Sequence, residues 1–468
     1  MARNVKAAPI LSDIDAKVNT QTATLKYHIQ LITPMFGGGS EPREPDPVTL
    51  VRPSTIRGHL RFWWRATRGA NFQNSTELKK REDEIWGSTA VPSPLMLYVK
   101  HLEYSSPEKC RKKIKTWDNE KNRYKYTNIF SSVLENENSR EFEYCLFPFR
   151  EEKDKPPASM IISLNFDLII YIQSYLIKNS FEYKKEVECA VWAWVNFGGL
   201  GSRTRRGCGA LYCPELAPAS EQITQWYSAH RQKYNLSSTT IQRNWPTLPT
   251  RIYVKKRPSS TIQAWASAIK ILRKFRQIPI GRQSIRSRSY WPEADSLRAI
   301  TGKGHPNHME SKTLIHPIDA QRGSAFPRAE FGLPIIMHFK KNRDDSKEKN
   351  DSLNNCQILP SNANRMTSPL VIRPLAICPA PNEEIKAFPI IITINTVDEL
   401  LEKGLRLENL IDSNSKLGSK LSLDQDNIQH SRLANYPKSP MANRSAKGSA
   451  LEAFLTYAQE RGFEVVKP

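Results

Sequence analysis

Apolar residues recur along the chain in two alternating rhythms, and together they mark out two blocks of elements. In TLKYHIQLIT (24–33), Leu25, Tyr27, Ile29 and Leu31 fall at every second position, which predicts a strand with one buried face. A loop rich in Gly and Pro runs from Pro34 to Pro47 and leads into RPSTIRGHLRFWWRATRG. There Ile56, Leu60, Trp63, Trp64 and Thr67 form one stripe, with Ser54 as a predicted N-cap and Gly69 as a stop, so a helix is expected. PLMLYVKHLEY (94–104) and MIISLNFDLIIYI (160–172) read as strands, and YKKEVECAVWAWVNF (183–197) reads as a strongly apolar helix. A glycine-dense loop, GGLGSRTRRGCG (198–209), precedes a last short strand at ALYC (210–213).

The second block repeats this order with longer gaps. RIYVKKR (251–257) is a predicted strand and TIQAWASAIKILRKFRQ (261–277) a predicted helix. LPIIMHFKK (333–341), LVIRPLAI (370–377) and FPIIITIN (388–395) read as strands, and SALEAFLTYAQERG (449–462) as a helix before FEVV. The expected fold class is α+β: two ferredoxin-like (RRM-like) β-α-β-β-α-β domains with long insertions. Their boundaries fall at 20–216 and 245–468, with a polar, Lys-rich insertion at about 105–140. The polar segments at about 341–357 and 412–447 lack periodicity and are expected to be disordered.

Composition narrows the classes. The 468 residues leave room for two or three domains of ~100–200 residues each. At 39% hydrophobic and 9% aromatic, whole-chain disorder is excluded. No apolar run approaches the ~20 residues of a membrane helix, and the N-terminus lacks a signal-peptide core, so no membrane partner is expected. Seven cysteines without a CxxC pair argue for a reducing, cytoplasmic setting rather than a disulfide framework. The 69 Lys+Arg against 47 Asp+Glu give a net charge of +22, which predicts a polyanionic partner.

Placement of that charge is more informative than its total. Arg57, Arg61, Arg65 and Arg68 follow each other at i, i+4, i+8 and i+11 on the first helix. Between Glu44 and Glu77 the only acid is Asp46, so the stripe has no partners at helical spacing. An anion lying along the helix would explain the stripe, and acids from elsewhere in the fold would explain it as well. Arg203, Arg205 and Arg206 stand among the glycines of the 198–209 loop, where free backbone N–H groups can cradle phosphate. The loop follows a helix and lacks a Gly-Lys-Ser/Thr ending, which argues against a nucleotide P-loop. A third basic run, from Lys270 through Arg282, Arg286 and Arg288, ends at Tyr290 and Trp291. Cations beside flat rings suit single-stranded nucleic acid, although Trp291 can equally be a core anchor.

ITPMFGGG, VRPSTIRGHLRFWWRA, EDEIWGS and VNFGGLGSRTRRGCGAL together resemble the RAMP superfamily of CRISPR RNA-guided effector complexes. RSRSYWPEADSLR, FPRAEFGLPIIMHFK and NRMTSPLVIRP resemble, within it, the family of first-numbered RAMP subunits of type III-B complexes. The resemblance spans roughly 24–104, 160–213 and 284–376 and implies a non-catalytic, RNA-binding subunit that caps the 3′ region of the guide RNA. It implies guide RNA, target RNA and neighbouring RAMP subunits as partners, and no cofactor. Carried over by position, the RNA-binding candidates are Gly37, Gly38, Gly39, Arg52, Ser54, Arg57, Arg61, Arg65 and Arg68 in the first helix region. Gly199, Gly201, Arg203, Arg205 and Arg206 follow in the glycine loop, and Arg282, Arg286, Arg288, Trp291, Arg328 and Arg365 in the second block.

Other RAMP proteins cut RNA, so a RAMP-type endoribonuclease acting on guide precursor or target is the alternative. Metal-free cleavage needs an acid–base pair, and the weak nominees are His59 on the arginine helix and Asp46 in EPREPDP. His305, His308 and His316 lie close in sequence without a nearby cysteine, so no metal site is expected. A DNA reader would present polar side chains from a recognition helix, and the Trp-rich helix around 54–68 does not suit that role.

Overall fold

The computed structural model describes residues 22–41, 43–118, 122–134, 139–152, 155–173, 180–219, 222–237, 243–277, 291–301, 325–339, 353, 355–380, 383–394, 404–409, 421–423, 439–445 and 449–468. In the first half the elements are β1 (Thr22–Leu31), β2 (Met35–Phe36), α1 (Pro53–Ala66), α2 (Ser75–Trp86) and β3 (Leu95–Tyr104). After them come β4 (Glu108–Lys109), β5 (Arg111–Asp118), β6 (Arg123–Phe130), α3 (Ser139–Cys145) and β7 (Ser159–Ile161). β8 (Leu164–Gln173), α4 (Ser180–Phe197), β9 (Leu211–Tyr212) and α5 (Ile223–Lys233) complete this half. The second half holds β10 (Ile252–Val254), β11 (Ser259–Ser260), α6 (Thr261–Gln277), α7 (Glu293–Thr301), β12 (Ile335–Met337) and β13 (Cys356–Pro360). It ends with β14 (Leu370–Ala376), β15 (Lys386–Thr393), β16 (Leu405–Asn409), β17 (Leu421–Leu423), α8 (Ala450–Glu460) and β18 (Glu464–Val466). The fold is mixed α and β, and all of its strand pairings among the described residues are antiparallel.

The first sheet runs β3-β8-β1-β9. The principal sheet of the second half runs β14-β15-β10-β18, with the short β11 also on β15. Counting only strands around the two crossover helices, both sheets follow the order second-third-first-fourth. The predicted strand 333–341 is displaced from that scheme. Its described part, β12, joins a separate sheet β12-β13-β16-β17, and the second strand of the block is β14. The segments expected to be disordered lie mostly outside the described residues. Within them, Cys356 and Gln357 belong to β13 and Leu421–Leu423 forms β17, because pairing with β16 supplies order that local composition does not predict. The 105–140 insertion contains the β5–β6 ribbon and the start of α3.

Burial explains the layering. Leu25, Tyr27, Ile29 and Leu31 of β1 and Phe166, Leu168, Ile170 and Ile172 of β8 face α1 and α4, as the alternation predicts. The second sheet is covered on both sides. Val371, Leu375, Ile390 and Ile392 join the core of the first half, while Ile372 and Ile391 pack with Trp265, Ile269 and Phe275 of α6 and Phe454 of α8. All seven residues of β14 are buried. One of them is Arg373, whose guanidinium donates to the carbonyl oxygens of Gly198, Leu211 (3.0 Å) and Pro374 (2.9 Å). Burial pushes its pKa down, yet a guanidinium remains charged at neutral pH. All seven cysteines are free thiols, and no helix among the described residues is long and apolar enough to cross a membrane.

The other face of the first sheet is open and carries a polar cluster. Asp167 of β8 lies between His28 on β1 and Lys100 on β3. It accepts from Lys26 (3.0 Å), His28 (3.1 Å) and His101 (2.7 Å). A register shift between Lys100 and Glu103 and a positive φ of 49° at His101 mark a bulge beside this contact. Hydrogen bonds from Lys26 first, then His28 and His101, hold the Asp167 carboxyl well below the usual range.

Two outcomes follow. Arg373→Ala removes the donor from three carbonyl oxygens and opens a cavity, so urea unfolding is expected to show a loss of roughly 3 kcal/mol; an unchanged midpoint would contradict the assignment. Because the Asp167 carboxyl is depressed in the folded state, its contribution is full above the unfolded pKa of ~3.9 and fades as pH falls below it. Asp167→Asn is therefore expected to lower the unfolding midpoint at pH 7 and to approach wild type towards pH 2, whereas an equal gap at both pH values would refute the pairing.

Candidate nucleic-acid interface

Helix α1 begins two residues earlier than Ser54 as an N-cap implies. Pro53 occupies its first turn and Arg52 is the N-cap, without a capping side chain. The buried stripe is Ile56, Leu60, Trp63, Trp64 and Ala66, and it packs on α4. Arg52 is tied to the Asp46 carboxylate and to the Gly38 carbonyl oxygen (3.2 Å). Asp46 also accepts from the backbone N–H groups of Val48 (2.9 Å) and Thr49 (2.8 Å). These donors lower its pKa and make it a loop staple, not a free base.

The arginine stripe has partners, which corrects the premise drawn from spacing. Arg57 donates to Trp86 O (3.1 Å), Ser93 Oγ (2.9 Å) and Leu95 O (2.8 Å). Arg61 and Arg65 share the buried Glu82 of α2, at 2.6 and 2.8 Å. Arg68 reaches Glu186 (2.7 Å) and Tyr234 O (2.9 Å), and the indole N–H of Trp64 donates to the same carboxylate (2.7 Å). Glu82 and Glu186 come from other helices, so no i±4 rule could reveal them.

The glycine loop is likewise held largely by protein. Leu200 N donates to Gly209 O (2.9 Å), Ser202 N to Phe36 O (2.7 Å) and Gly209 N to Pro34 O (2.9 Å). Gly209 has φ +64°, and an added Cβ would sit 1.9 Å from Leu200 O. Gly199 and Gly201 are closed in by Gly209 O and Phe36 O, so neither backbone lies open to a ligand. Arg206 donates to Leu370 O (2.7 Å) and Ser368 Oγ (3.0 Å), and Arg205 to Ser368 O, joining the two halves. Arg203 adopts a left-handed backbone (φ 59°), and its buried Nε has no partner among the described residues.

Second-block nominations fare differently. Trp291 is buried against Phe275 and donates to Arg276 O (3.1 Å), which is the core-anchor reading. Arg328 is ion-paired with the buried Glu293 (3.0 Å). Arg365 is exposed, whereas Arg282, Arg286, Arg288 and the histidines 305, 308 and 316 lie outside the described residues. Among the described residues no group of three or more His, Cys, Asp or Glu could hold a metal.

What the fold does bring together is a cleft of about 180 Å³ where α1, the glycine loop and the second sheet meet. Its walls include His59, Phe62, Gly199, Thr204, Arg205 and Val371. The Arg205 guanidinium stands 5.8 Å from the Phe62 ring centre, and His59 stacks on Trp194 at 6.1 Å. Burial lowers the His59 pKa, and the ring makes no hydrogen bond among the described residues. Gly38, with φ +106° and nothing within 4 Å of an added Cβ, is the open glycine of the 37–39 turn; Gly39 faces Glu44 and Asp46, and Gly37 is buried. Phe62 was hidden within the RFWWR run, whose periodicity marks burial but not a cleft wall.

Residues 28–212 match the family model described as the RAMP superfamily. That match covers most of the first sheet, both of its crossover helices and the glycine loop. The chain is also similar to the CRISPR system Cmr subunit Cmr1-2 of Pyrococcus furiosus, being 26% identical over 194 residues that cover 40% of this chain and 92% of that protein. Cmr1-1 of the same organism is 26% identical over 180 residues, covering 37% of this chain and 43% of that one. Among solved structures, apo Cmr1 from Pyrococcus furiosus aligns with 80% of this chain and 88% of its own at 16% identity and a TM-score of 0.40. A chain of the type III-B Cmr-beta complex bound to cognate target RNA aligns with 80% of this chain and 94% of its own, at 12% identity and a TM-score of 0.43.

Arg61→Ala leaves the buried Glu82 with one partner fewer and is expected to lower stability by about 1–2 kcal/mol in denaturant titrations. Full stability combined with lost RNA affinity would restore the solvent-facing reading of the stripe.

Proposed function

We propose that this protein is a non-catalytic RNA-binding subunit of a type III-B CRISPR RNA-guided effector complex. In this reading it is built of two ferredoxin-like domains, works in the cytoplasm and caps the 3′ region of the guide RNA. Guide RNA, target RNA and neighbouring RAMP subunits are its partners. The observation that carries the reading is the 26% identity that extends over 92% of Cmr1-2, a protein named as a subunit of a CRISPR Cmr system. The two sheets of identical strand order support the ferredoxin-like assignment, since hairpin strands lie between and beside the crossover strands in each.

Three features support RNA as the partner. The chain carries +22 net charge, so phosphate attracts it at long range. Arg52 and the open Gly38 turn flank the N-terminus of α1, which has no acid in its first turn and therefore favours an anion. Arg203 and Arg205 lie beyond it on the glycine loop, and Arg205 lines a cleft in which Phe62 offers a flat ring. Phosphate and shape contacts of this kind position a strand without reading its sequence. The non-catalytic reading is supported by the engaged Asp46 carboxylate and by the solitary, desolvated His59.

Fluorescence anisotropy with a labelled RNA strand tests this. Arg52→Ala with Arg203→Ala is expected to weaken binding about tenfold and to reduce the log K against log salt slope by up to ~1.4, at ~0.7 per single-strand phosphate. A slope equal to wild type would sink the interface. Site-specific cutting of the RNA that His59→Ala or Asp46→Ala abolishes would replace the non-catalytic reading with the endoribonuclease one.

A further inference from the structure

The β5–β6 ribbon is unused by everything described so far. Its two strands pair only with each other among the described strands, Arg111 opposite Phe130 through to Asp118 opposite Arg123. Its base is fixed to the body: Cys110 N donates to Ala158 O (2.9 Å), Ser131 N donates to Cys110 O (3.0 Å), and Phe130 is buried. The Arg111 guanidinium covers the Phe130 ring at 4.4 Å. Beyond that base, the ribbon extends for several pairs with no third strand among the described residues.

Two properties of the ribbon coincide. Between Arg111 and Phe130 the sequence RKKIKTWDNEKNRYKYTNIF holds seven Lys and Arg against two acids, Asp118 and Glu120, in 20 residues. Residues paired directly across an antiparallel ladder share a face, and the face alternates along each strand. Arg111, Lys115 and Trp117 stand at alternate positions of β5 and so on one face of the ribbon. Trp117, paired with Tyr124, is 49% exposed, and Lys115 is exposed as well. An indole that served only the core would not stand half in water at the far end of a two-stranded ribbon.

We propose that this face is a second contact for a single-stranded RNA segment, in which the ribbon's cations neutralise phosphates and Trp117 stacks a base. Charge complementarity selects the occupant. Protein-docking surfaces are depleted of lysine at their centres, whereas alternating cations and aromatic rings are what sequence-tolerant strand binding requires. The inference rests on RNA being the protein's partner and adds a contact remote in sequence from α1 and the glycine loop.

The test uses the full chain and a fluorescent oligouridine strand. Lys113→Glu with Lys115→Glu is expected to flatten the salt slope by ~1.4, and Trp117→Ala to weaken binding roughly tenfold, with Trp117→Phe retaining most of the affinity. Thermal midpoints should stay at the wild-type value, because the substituted positions lie beyond the packed base. Photo-crosslinking of wild-type protein to 4-thiouridine RNA should give adducts within 112–126, a readout that needs no variant. Wild-type affinity in the ribbon variants together with crosslinks elsewhere would overturn the inference. Loss of subunit capture with RNA affinity intact would overturn it too, making the ribbon a protein-docking edge. If the Arg52/Arg203 variant loses affinity and the ribbon variants do not, the ribbon contact fails while the RNA-binding function stands; no binding by wild type fails both.

Discussion

The structure hangs on a charged group buried where its two halves meet. Arg373, on a strand enclosed from both sides, has no carboxylate partner among the described residues and is held by carbonyl oxygens, two of them from the glycine loop region and β9. A cation in such a place is tolerable only if its donors are satisfied and the acceptors cannot move away. That requirement constrains the loop: Gly199, Gly201 and Gly209 approach backbone atoms closer than any Cβ would permit, and Arg205 and Arg206 stitch the loop to 368–370. The indole of Trp265 closes the arrangement by donating to Arg206 O (2.7 Å). The glycine-dense motif that reads as a phosphate cradle is, in this chain, first a device for joining two sheets.

This changes what the net charge means. A large share of the conspicuous arginines is internal: the α1 stripe neutralises Glu82 and Glu186, Arg273 meets Glu141 (2.9 Å), and Arg328 meets Glu293. Pairing an arginine with a buried carboxylate adds nothing to the external field.

Much was legible in the chain because its physical cause is local. Alternation in 24–33 and 160–172 and the helical spacing of Ile56, Leu60, Trp63 and Trp64 depend only on which side of an element faces a core, so strands, helices and their order could be read directly. The glycines of 198–209, the cysteines without a bonding pattern and the family resemblance were equally a matter of residue type and spacing. What tertiary structure alone decided was partnership. Glu82 is 21 residues from Arg61 and Glu186 is 118 from Arg68, and only folding brings each pair to 2.6 and 2.7 Å. The same holds for β12, a good strand by composition, which found its place in a different sheet because β13 offered it an edge. Sequence determines which side chains want burial, pairing or solvent; which of them meet depends on distances that no local pattern encodes.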